Sequence, residues 1–476
     1  MEARNGFTVQ VSHKPFLPVD DDEIQAVLTV TARGTAPSAG PPRHAEVIVV
    51  DCSGSMGVPA TKISAARRAT VAALRDLPDG TLFAVVQGAE RARMVYPAHK
   101  RLAEASPRTR AEAIAAVQHL DSSGGTAMHT WLARARRLLA GSTADIRHVI
   151  LLTDGHNRAA QTALEEEVER CVGVFSCDPT GIGEDWEPRD LLMIARRLGG
   201  RARAHADGGA AELEADFTAV TRAVMAKRVP AVRLVVRTLA HVEVGFLRQM
   251  FPTRVELTPE RISPDGCTVE YNLGAWGEEL REYLISLRFP KTGMPGRSAG
   301  IRQRLARVDL WAGRSAGESP DVSAPIAVEW TDDPRRSTVI NPQVSHHVTQ
   351  LELNALVEIG YAAYRDGDKG NAARYWARAL KLAAEVGNAE LRRRLQEALY
   401  FDGDVPRLRE NVRLIDSKLL NVASNVFIPS SSAASTPGRP APPPARRCPE
   451  CGRPVAADAR RCTGCETRLD DDPESV

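Results

Sequence analysis

The spacing of apolar residues changes several times along the chain, and each change marks a predicted domain boundary. Residues 7–33 hold two runs, FTVQV and IQAVLTVTA, in which the alternation of apolar and polar positions predicts β-strands. From residue 45 onward, branched aliphatic runs such as VIVV (47–50) alternate with segments of helical periodicity such as TKISAARRATVAALRDL. This alternation predicts a Rossmann-like α/β domain over residues 41–229, with a mostly parallel sheet flanked by helices.

Helical patterns disappear between residues 230 and 340. Short runs such as VRLVVRTL and EYLISLRF are separated there by turn residues, which is typical of an antiparallel β-sandwich. The two runs within residues 1–40 are too short to bury themselves, so we expect them to join this sandwich. The α/β domain would then be an insertion between strands of the sandwich.

Residues 341–428 are predicted to be helical. The stretch IGYAAYRDGDKGNAARYWARALKLA resembles a tetratricopeptide repeat (TPR), because four small or aromatic residues fall where such repeats pack their helices: Gly360, Ala372, Trp376 and Ala379. The stretch departs from the repeat at Ala363, where a tyrosine is usual, and Tyr364 follows one place late. An ordinary amphipathic helical hairpin explains the pattern as well. Either structure predicts a packing or docking element.

The C-terminal segment changes character twice. Residues 429–445 are rich in proline and serine and form a predicted linker, and residues 469–476 form an acidic tail. Between them, residues 446–468 contain two Cys-x-x-Cys pairs whose four thiolates could close a tetrahedral Zn²⁺ site: Cys448, Cys451, Cys462 and Cys465. The short turns CPECG and CTGCE resemble a zinc ribbon, which implies a structural metal. Disulfides are the alternative, and a reducing cytosol disfavours them.

Charge and the absence of long apolar runs indicate which kinds of partner and which cellular compartment to expect. The chain carries 62 basic and 60 acidic side chains, a net charge of +2, so its overall charge steers it toward neither nucleic acid nor a membrane. The sequence has no apolar run of the roughly 18 residues that a membrane span needs, and its start lacks the apolar core of a secretory signal. We therefore expect a cytoplasmic protein without a membrane partner. The predominance of Arg over Lys suggests a bacterial source.

Five oxygen-bearing side chains are predicted to meet at one edge of the parallel sheet. They occur in DCSGSMG after one buried strand, in DSSGGTAMHT before a helix, and in LLTDG after another strand: Asp51, Ser53, Ser55, Thr126 and Asp154. Parallel sheets bind ligands at the carboxyl ends of their strands. Because carboxylates and hydroxyls are hard donors, the set suits Mg²⁺ or Mn²⁺ better than a soft metal.

This set resembles the metal-ion-dependent adhesion site (MIDAS) of von Willebrand factor A (VWA) domains. The family's pattern is Asp-x-Ser-x-Ser, then a distant Thr and a distant Asp, and all five positions match in that order. The resemblance implies that Ser53 and Ser55 ligate Mg²⁺ directly and that Thr126 does so directly or through water. Asp51 and Asp154 would act largely through water. It further implies that the ion's open position accepts an Asp or Glu of a partner protein.

Neither a simple structural role nor an enzymatic one explains all five residues. Asp51 and the two serines could cap the following helix, and Asp154 could belong to a turn, but neither explains a threonine after two glycines. A haloacid dehalogenase-type phosphatase needs a second acid where Ser53 stands. A serine hydrolase needs a first glycine that DCSGSMG lacks, and the chain has no Gly-rich phosphate-binding lysine motif.

The sequence therefore predicts a non-enzymatic, divalent-metal-dependent interaction or scaffold protein. Bacterial VWA proteins of this kind commonly act as adaptors, so the resemblance implies partners such as an AAA+ ATPase, a kinase or a phosphatase. The alternative functions are a metal-dependent phosphohydrolase and an adaptor subunit of an AAA+ ATPase or of a kinase or phosphatase signalling system. Insertion of a VWA domain into a sandwich resembles integrin β subunits at the level of fold alone. Arginines beside the cysteine cluster leave weak nucleic-acid contact open, although the acidic tail argues against it.

Overall fold

The chain divides into two units, Met1–Ser430 and Ser431–Val476. In this computed structural model the described residues are 6–34, 40–155, 157, 161–206, 209–313, 319–430, 446–447 and 454–455.

Strands and helices follow one another in four blocks along the first unit. The N-terminal block consists of the strands β1 (Phe7–His13), β2 (Phe16–Pro18) and β3 (Glu23–Ala32). The second block alternates between the two kinds of element: β4 (His44–Asp51), a 3₁₀ helix (Gly54–Gly57), α1 (Thr61–Asp76), β5 (Leu82–Gly88), β6 (Arg93–Tyr96), β7 (Ala103–Glu104), α2 (Pro107–Gln118), α3 (Met128–Ala140), β8 (Ile146–Thr153), α4 (Gln161–Cys171), β9 (Ser176–Ile182), α5 (Pro188–Leu198), β10 (Arg203–His205) and α6 (Ala210–Met225).

The last two blocks separate strands from helices. The third consists of strands: β11 (Val232–Thr238), β12 (Glu243–Phe251), β13 (Val255–Leu257), β14 (Arg261–Ile262), β15 (Thr268–Asn272), β16 (Leu280–Arg288), β17 (Arg302–Ala312) and β18 (Val322–Thr331). The fourth is mainly helical: α7 (Pro334–Ser337), α8 (Pro342–Arg365), α9 (Lys369–Glu385), α10 (Ala389–Ala398), β19 (Leu399–Asp402), β20 (Val405–Leu408) and α11 (Leu414–Ser424).

A seven-stranded sheet forms the centre of the second block. Its order is β10-β9-β8-β4-β5-β6, and β7 also pairs with β5. The pairs from β10 to β5 are parallel, whereas β6 and β7 run antiparallel to β5. The predicted, mostly parallel α/β sheet flanked by helices is therefore confirmed. Strand β4 lies between β8 and β5, at the middle of the sheet.

Helices cover both faces of this sheet, which explains why β4 is apolar without alternation. Ile48 and Val50 pack with residues of α1, α2 and α6, whereas Val47 and Val49 pack with residues of α3, α4 and α5 on the opposite face. All four side chains are fully buried. Each such burial stabilises the fold by about 1.5–3 kcal/mol, so the sheet gives a rigid base to the loops at its carboxyl edge.

Strands of the first and third blocks form two further sheets around a common core. One sheet has the antiparallel order β1-β3-β16-β12-β13, and the other has the order β14-β15-β11-β17-β18-β2, in which β2 alone is parallel to its neighbour. Leu28 and Tyr283 of the first sheet belong to the same buried cluster as Leu234 and Val308 of the second. The N-terminal strands thus share sheets with strands that follow the α/β block in sequence.

Helices α8 and α9 pack tightly because a glycine faces a tryptophan. A Cβ at Gly360 would overlap the indole of Trp376, which is fully buried and stacks on Tyr364 with ring centroids 5.8 Å apart. Ala372 and Ala379 are buried on the same helix as the tryptophan. The resemblance to a tetratricopeptide repeat stays a prediction.

Across the residues that the structure describes, no helix is long and apolar enough to cross a membrane.

One part of the predicted helical segment forms a β-hairpin instead. Strands β19 and β20 pair antiparallel with Asp402 opposite Val405, so Gly403 and Asp404 make a two-residue turn. Pro406 lacks the backbone N–H that a helix needs, and a Gly-Asp pair between two strand-like runs is a hairpin signal. The prediction of continuous helix was wrong at these residues because it overlooked this turn.

Helix α11 joins the helical block to the α/β block. Ile415 and Val422 pack into a buried cluster with Trp186 and Leu191, which lie after β9. The buried Nζ of Lys418 donates hydrogen bonds to the backbone carbonyls of Glu184 and Trp186 at 2.8 and 2.6 Å. These contacts hold the loop between β9 and α5 in place.

Three charged side chains cross the parallel sheet near its amino edge. Nδ1 of His148 on β8 lies 2.9 Å from a Glu46 carboxylate oxygen on β4, and its Nε2 lies 3.2 Å from Asp178 on β9. Burial alone lowers the pKa of His148, but the two carboxylates outweigh it and raise that pKa to about 9. His148, in turn, lowers the pKa of Asp178 against the effect of burial.

Because His148 is buried between two carboxylates, we expect the fold to lose stability at alkaline pH. Because its folded-state pKa is raised above 6.5, its contribution is complete below pH 6.5 and is lost as pH rises through about 9. We expect the free energy of unfolding to fall across this window by on the order of 3 kcal/mol. Denaturant titrations between pH 6 and 10 would measure the decline.

The control is the Glu46→Gln/His148→Gln double variant. It replaces both buried charges with neutral amides of similar size, so its unfolding free energy should vary much less over the same pH range. An identical pH profile for the double variant and the wild type would contradict the role of His148.

In the second unit, two short strands pair antiparallel, β21 (Arg446–Arg447) and β22 (Pro454–Val455). The four cysteines predicted to bind zinc lie outside the described residues, so the zinc ribbon stays a prediction.

Candidate metal centre

The five predicted site residues come from three places that meet at the carboxyl edge of the parallel sheet. Asp51 ends β4, and Ser53 and Ser55 follow it around the 3₁₀ helix. Asp154 follows β8, whose residues pair with those of β4, and Thr126 precedes α3. Both carboxylates have an exposed fraction of 0%. Hydroxyl and carboxylate oxygens are thereby concentrated at the carboxyl edge, beside the central strand β4.

Hydrogen bonds and close approaches join these oxygens into one cluster. Ser53 Oγ lies 3.1 Å from Ser55 Oγ, which donates to Asp154 Oδ1 at 2.8 Å. A Cβ built on Gly155 would lie 3.3 Å from Thr126 Oγ1 and 3.5 Å from Ser55 Oγ, which places these two hydroxyls beside the same glycine. Asp51 Oδ1 accepts the backbone N–H of Ser53 at 2.8 Å. The structure thus brings all five predicted residues together.

Backbone hydrogen bonds lock the loops that carry the oxygens. The N–H of Cys52 donates to the Gly88 carbonyl at 2.7 Å, and the Cys52 carbonyl accepts the N–H of Ser123 at 2.7 Å. The N–H of Gly54 donates to the Gly124 carbonyl at 2.9 Å. Gly124 has a φ of +82°, a conformation that other residues rarely adopt. Gly124 therefore serves the geometry of the loop that presents the Thr126 hydroxyl.

Helix capping does not account for the acid and the two serines. Helix α1 begins at Thr61 after the N-cap residue Ala60, and no side chain caps its N-terminus. Ser53 occupies the N-cap of the 3₁₀ helix but makes no side-chain capping bond there. The capping interpretation was wrong because the chain makes a separate turn between Asp51 and α1.

Two buried side chains that the sequence analysis missed hold the carboxylates. Thr153, at the end of β8, donates its hydroxyl to Asp51 Oδ2 at 2.6 Å. Lys62 Nζ donates to Asp154 Oδ2 at 3.0 Å. Thr153 directly precedes Asp154 at a strand end, which was a usable signal. Lys62 looked like an ordinary polar position of an amphipathic helix.

Burial makes this cluster favourable for a cation. It raises the pKa of Asp51 to about 6, although hydrogen bonds from Thr153 and Ser53 oppose the shift. Burial also raises the pKa of Asp154 against the effect of Ser55 and Lys62. A divalent ion would stabilise both charged carboxylates, and neutral hydroxyls would complete a set of hard donors. The residues therefore fit Mg²⁺ or Mn²⁺.

No second candidate arises from clustered acids, histidines and cysteines. Within the described ranges, no group of three or more such side chains could hold a metal ion. The cluster at the carboxyl edge has only two carboxylates and depends on hydroxyls for its other oxygens.

Comparisons with known proteins agree with this architecture. The family model for the von Willebrand factor type A domain matches residues 44–204. A solved structure of a von Willebrand factor type A protein from Catenulispora acidiphila is 34% identical, with a TM-score of 0.81, over 90% of this chain and 98% of that one. The chain therefore belongs to the von Willebrand factor type A domain family, whose domains commonly serve protein interaction.

A more distant likeness supports the fold alone. The crystal structure of the ArnB paralog VWA2 from Sulfolobus acidocaldarius is 13% identical, with a TM-score of 0.55, over 88% of this chain and 97% of that one. No curated protein matches the chain.

Thr153→Val tests the hydrogen bond that supports Asp51. Valine keeps the β-branched shape but leaves the buried carboxylate without one of its donors. We expect the free energy of unfolding at pH 8, where Asp51 is ionised, to fall by about 1.5–3 kcal/mol. Urea titration would measure it. Thr153→Ser keeps the hydroxyl and is the matched control, and a valine variant as stable as the wild type would contradict the assignment.

Proposed function

We propose that this chain is a non-enzymatic protein-interaction module that binds its partner through a divalent cation at the carboxyl edge of the parallel sheet. The observation that carries the proposal is the convergence of Asp51, Ser53, Ser55, Thr126 and Asp154 in one cluster, in which only Ser55 is partly exposed. The ion is Mg²⁺ or Mn²⁺. The partner presents an Asp or Glu side chain.

The side chains divide into ligands and supports. The hydroxyls of Ser53, Ser55 and Thr126 offer neutral oxygens, so they add no charge to that of the two carboxylates. Thr153 and Lys62 orient the carboxylates of Asp51 and Asp154 through hydrogen bonds of 2.6 and 3.0 Å. When bound, the cation supplies an electron-poor position that a partner's carboxylate can occupy.

The surface beside the cluster suits a protein partner. Val58 follows the 3₁₀ helix and is 76% exposed, although it is a large apolar residue. Gly54, Pro59 and Ala60 are exposed around it. An apolar contact next to a charge-assisted one is a common basis of a selective interface. This rim would add affinity around the carboxylate contact.

The same geometry argues against nucleophilic catalysis by residues of DCSGSMG. Both oxygens of Asp51 accept hydrogen bonds, from Ser53 N–H and from Thr153, in a side chain closed to solvent. Burial raises the pKa of the adjacent Cys52 thiol to about 12, so this cysteine is protonated at neutral pH. These groups serve better as fixed supports than as attacking groups.

Metal binding gives the first test. Isothermal titration with Mg²⁺ should show one site on the wild type, and Asp51→Asn and Ser53→Ala should each weaken binding about tenfold or more because each removes an oxygen or its charge. Ser64→Ala removes a serine hydroxyl from α1 outside the cluster and is the matched control. Unchanged affinity in both site variants would refute the centre.

Partner capture gives the second test. Immobilised wild-type chain should retain a protein from a lysate of the source cells in buffer that contains Mg²⁺, and release it in EDTA. The Asp51→Asn variant should retain none. Substitution of an Asp or Glu on the captured protein should abolish retention. Capture that persists in EDTA would refute a metal-bridged contact.

A further inference from the structure

Lys62 is a buried lysine beside the candidate metal centre. Its side chain is 4% exposed, and its Nζ lies 3.0 Å from Asp154 Oδ2 and 3.5 Å from Asp185 Oδ2. Lys62 stands in the first turn of α1, where the partial positive charge of the helix N-terminus repels a cation. Burial also disfavours an ammonium group. The neighbouring carboxylates therefore offset both the repulsion by the helix N-terminus and the cost of burying the ammonium group.

Asp185, in the loop between β9 and α5, is the second carboxylate near the Lys62 ammonium group. Its side chain is 63% exposed, in contrast to the buried Asp154. The backbone carbonyls of its neighbours, Glu184 and Trp186, accept hydrogen bonds from Lys418 of α11. Lys62 thus bridges one carboxylate inside the cluster and another at its solvent-facing rim.

We propose that Lys62 is a positioning residue that sets the charge of the metal centre, and through it the preference of the centre for an external carboxylate. This inference rests on the proposed function above. The two buried carboxylates carry two negative charges, and the ammonium cancels one of them. Asp185 is also negatively charged, but its side chain is 63% exposed, so solvent screens its charge. A divalent cation added to this set leaves the centre with a net positive charge.

The net charge has opposite consequences for the two ligands. A lysine ammonium near a divalent cation repels it, so the wild type gives up some affinity for the metal. The same positive charge attracts a carboxylate from outside, which therefore binds more tightly to the loaded centre. With a neutral residue at position 62, the cation would neutralise the centre, and an external carboxylate would lose its electrostatic attraction.

Lys62→Met and Lys62→Gln test this inference in the full chain. Glutamine can still donate a hydrogen bond to Asp154, so it keeps the variant folded if methionine does not. Binding of Mn²⁺, followed by the electron paramagnetic resonance signal of the free ion, should tighten about tenfold in both variants because one repulsive charge is removed.

The affinity of the metal-loaded centre for an external carboxylate is measured in a separate titration. N-acetyl-glutamic acid α-amide, which has a single carboxylate, is titrated with each protein at equal bound Mn²⁺. Paramagnetic broadening of its γ-methylene protons reports binding near the ion. We expect its dissociation constant to rise several-fold in Lys62→Met and Lys62→Gln, and to change little in Lys62→Arg, which keeps the charge.

Arg68→Met is the matched control. Arg68 lies on the same helix and is paired with Glu214, but its side chain is 51% exposed, so solvent screens its charge. Neither Mn²⁺ affinity nor carboxylate broadening should change in this variant.

The outcomes separate this inference from the function on which it rests. Tighter Mn²⁺ binding together with weaker carboxylate binding supports the charge-setting role. If both neutral variants bind Mn²⁺ with the same affinity as the wild type, this role is overturned and the metal-dependent function is left intact. Weaker Mn²⁺ binding in the neutral variants also overturns it, because Lys62 would then only hold Asp154 in place. Absence of Mn²⁺ binding by the wild type overturns both.

Discussion

Burial of two carboxylates at neighbouring strand ends is the constraint on which the candidate metal centre depends. Asp51 and Asp154 are closed to water at the carboxyl edge of β4 and β8. A buried charge is costly unless it is paired or hydrogen-bonded. Hydroxyl, backbone N–H and ammonium donors reduce this cost, and a divalent cation would reduce it further. The surrounding loops are built to keep these donors in place.

The rest of the first unit supports this edge from two directions. The apolar faces of β4 pack under helices on both sides, so the strand that carries Asp51 has little freedom to move. Helix α11 fixes the loop that carries Asp185 through Lys418. Direct contacts thus connect the helical block with the loop that carries Asp185, at the rim of the candidate metal centre. The Glu46–His148–Asp178 triad crosses the same sheet near its opposite edge.

The candidate site could be predicted from sequence because its parts follow a general rule. Carboxyl ends of parallel strands share one edge, so an acid after VIVV and an acid after a second apolar run were expected at the same edge. The loop that carries Thr126 was expected at the same edge because it directly precedes a helix, and the family resemblance then matched this threonine. Lys62 and Asp185 were missed because no local pattern tells which way a polar helical residue or a loop acid points. The hairpin at β19 and β20 was missed although its Gly-Asp turn was present in the sequence.

By itself, the sequence determined the elements, the parallel sheet and the oxygen donors at its edge, since apolar spacing and strand ends depend on neighbours along the chain. Only the tertiary structure decided how those donors are held. Lys62 reaches Asp154 across 92 positions, and Thr153 reaches Asp51 across 102. Such contacts arise from the packing of α1, β4 and β8 in three dimensions, which brings together side chains that lie far apart in the sequence.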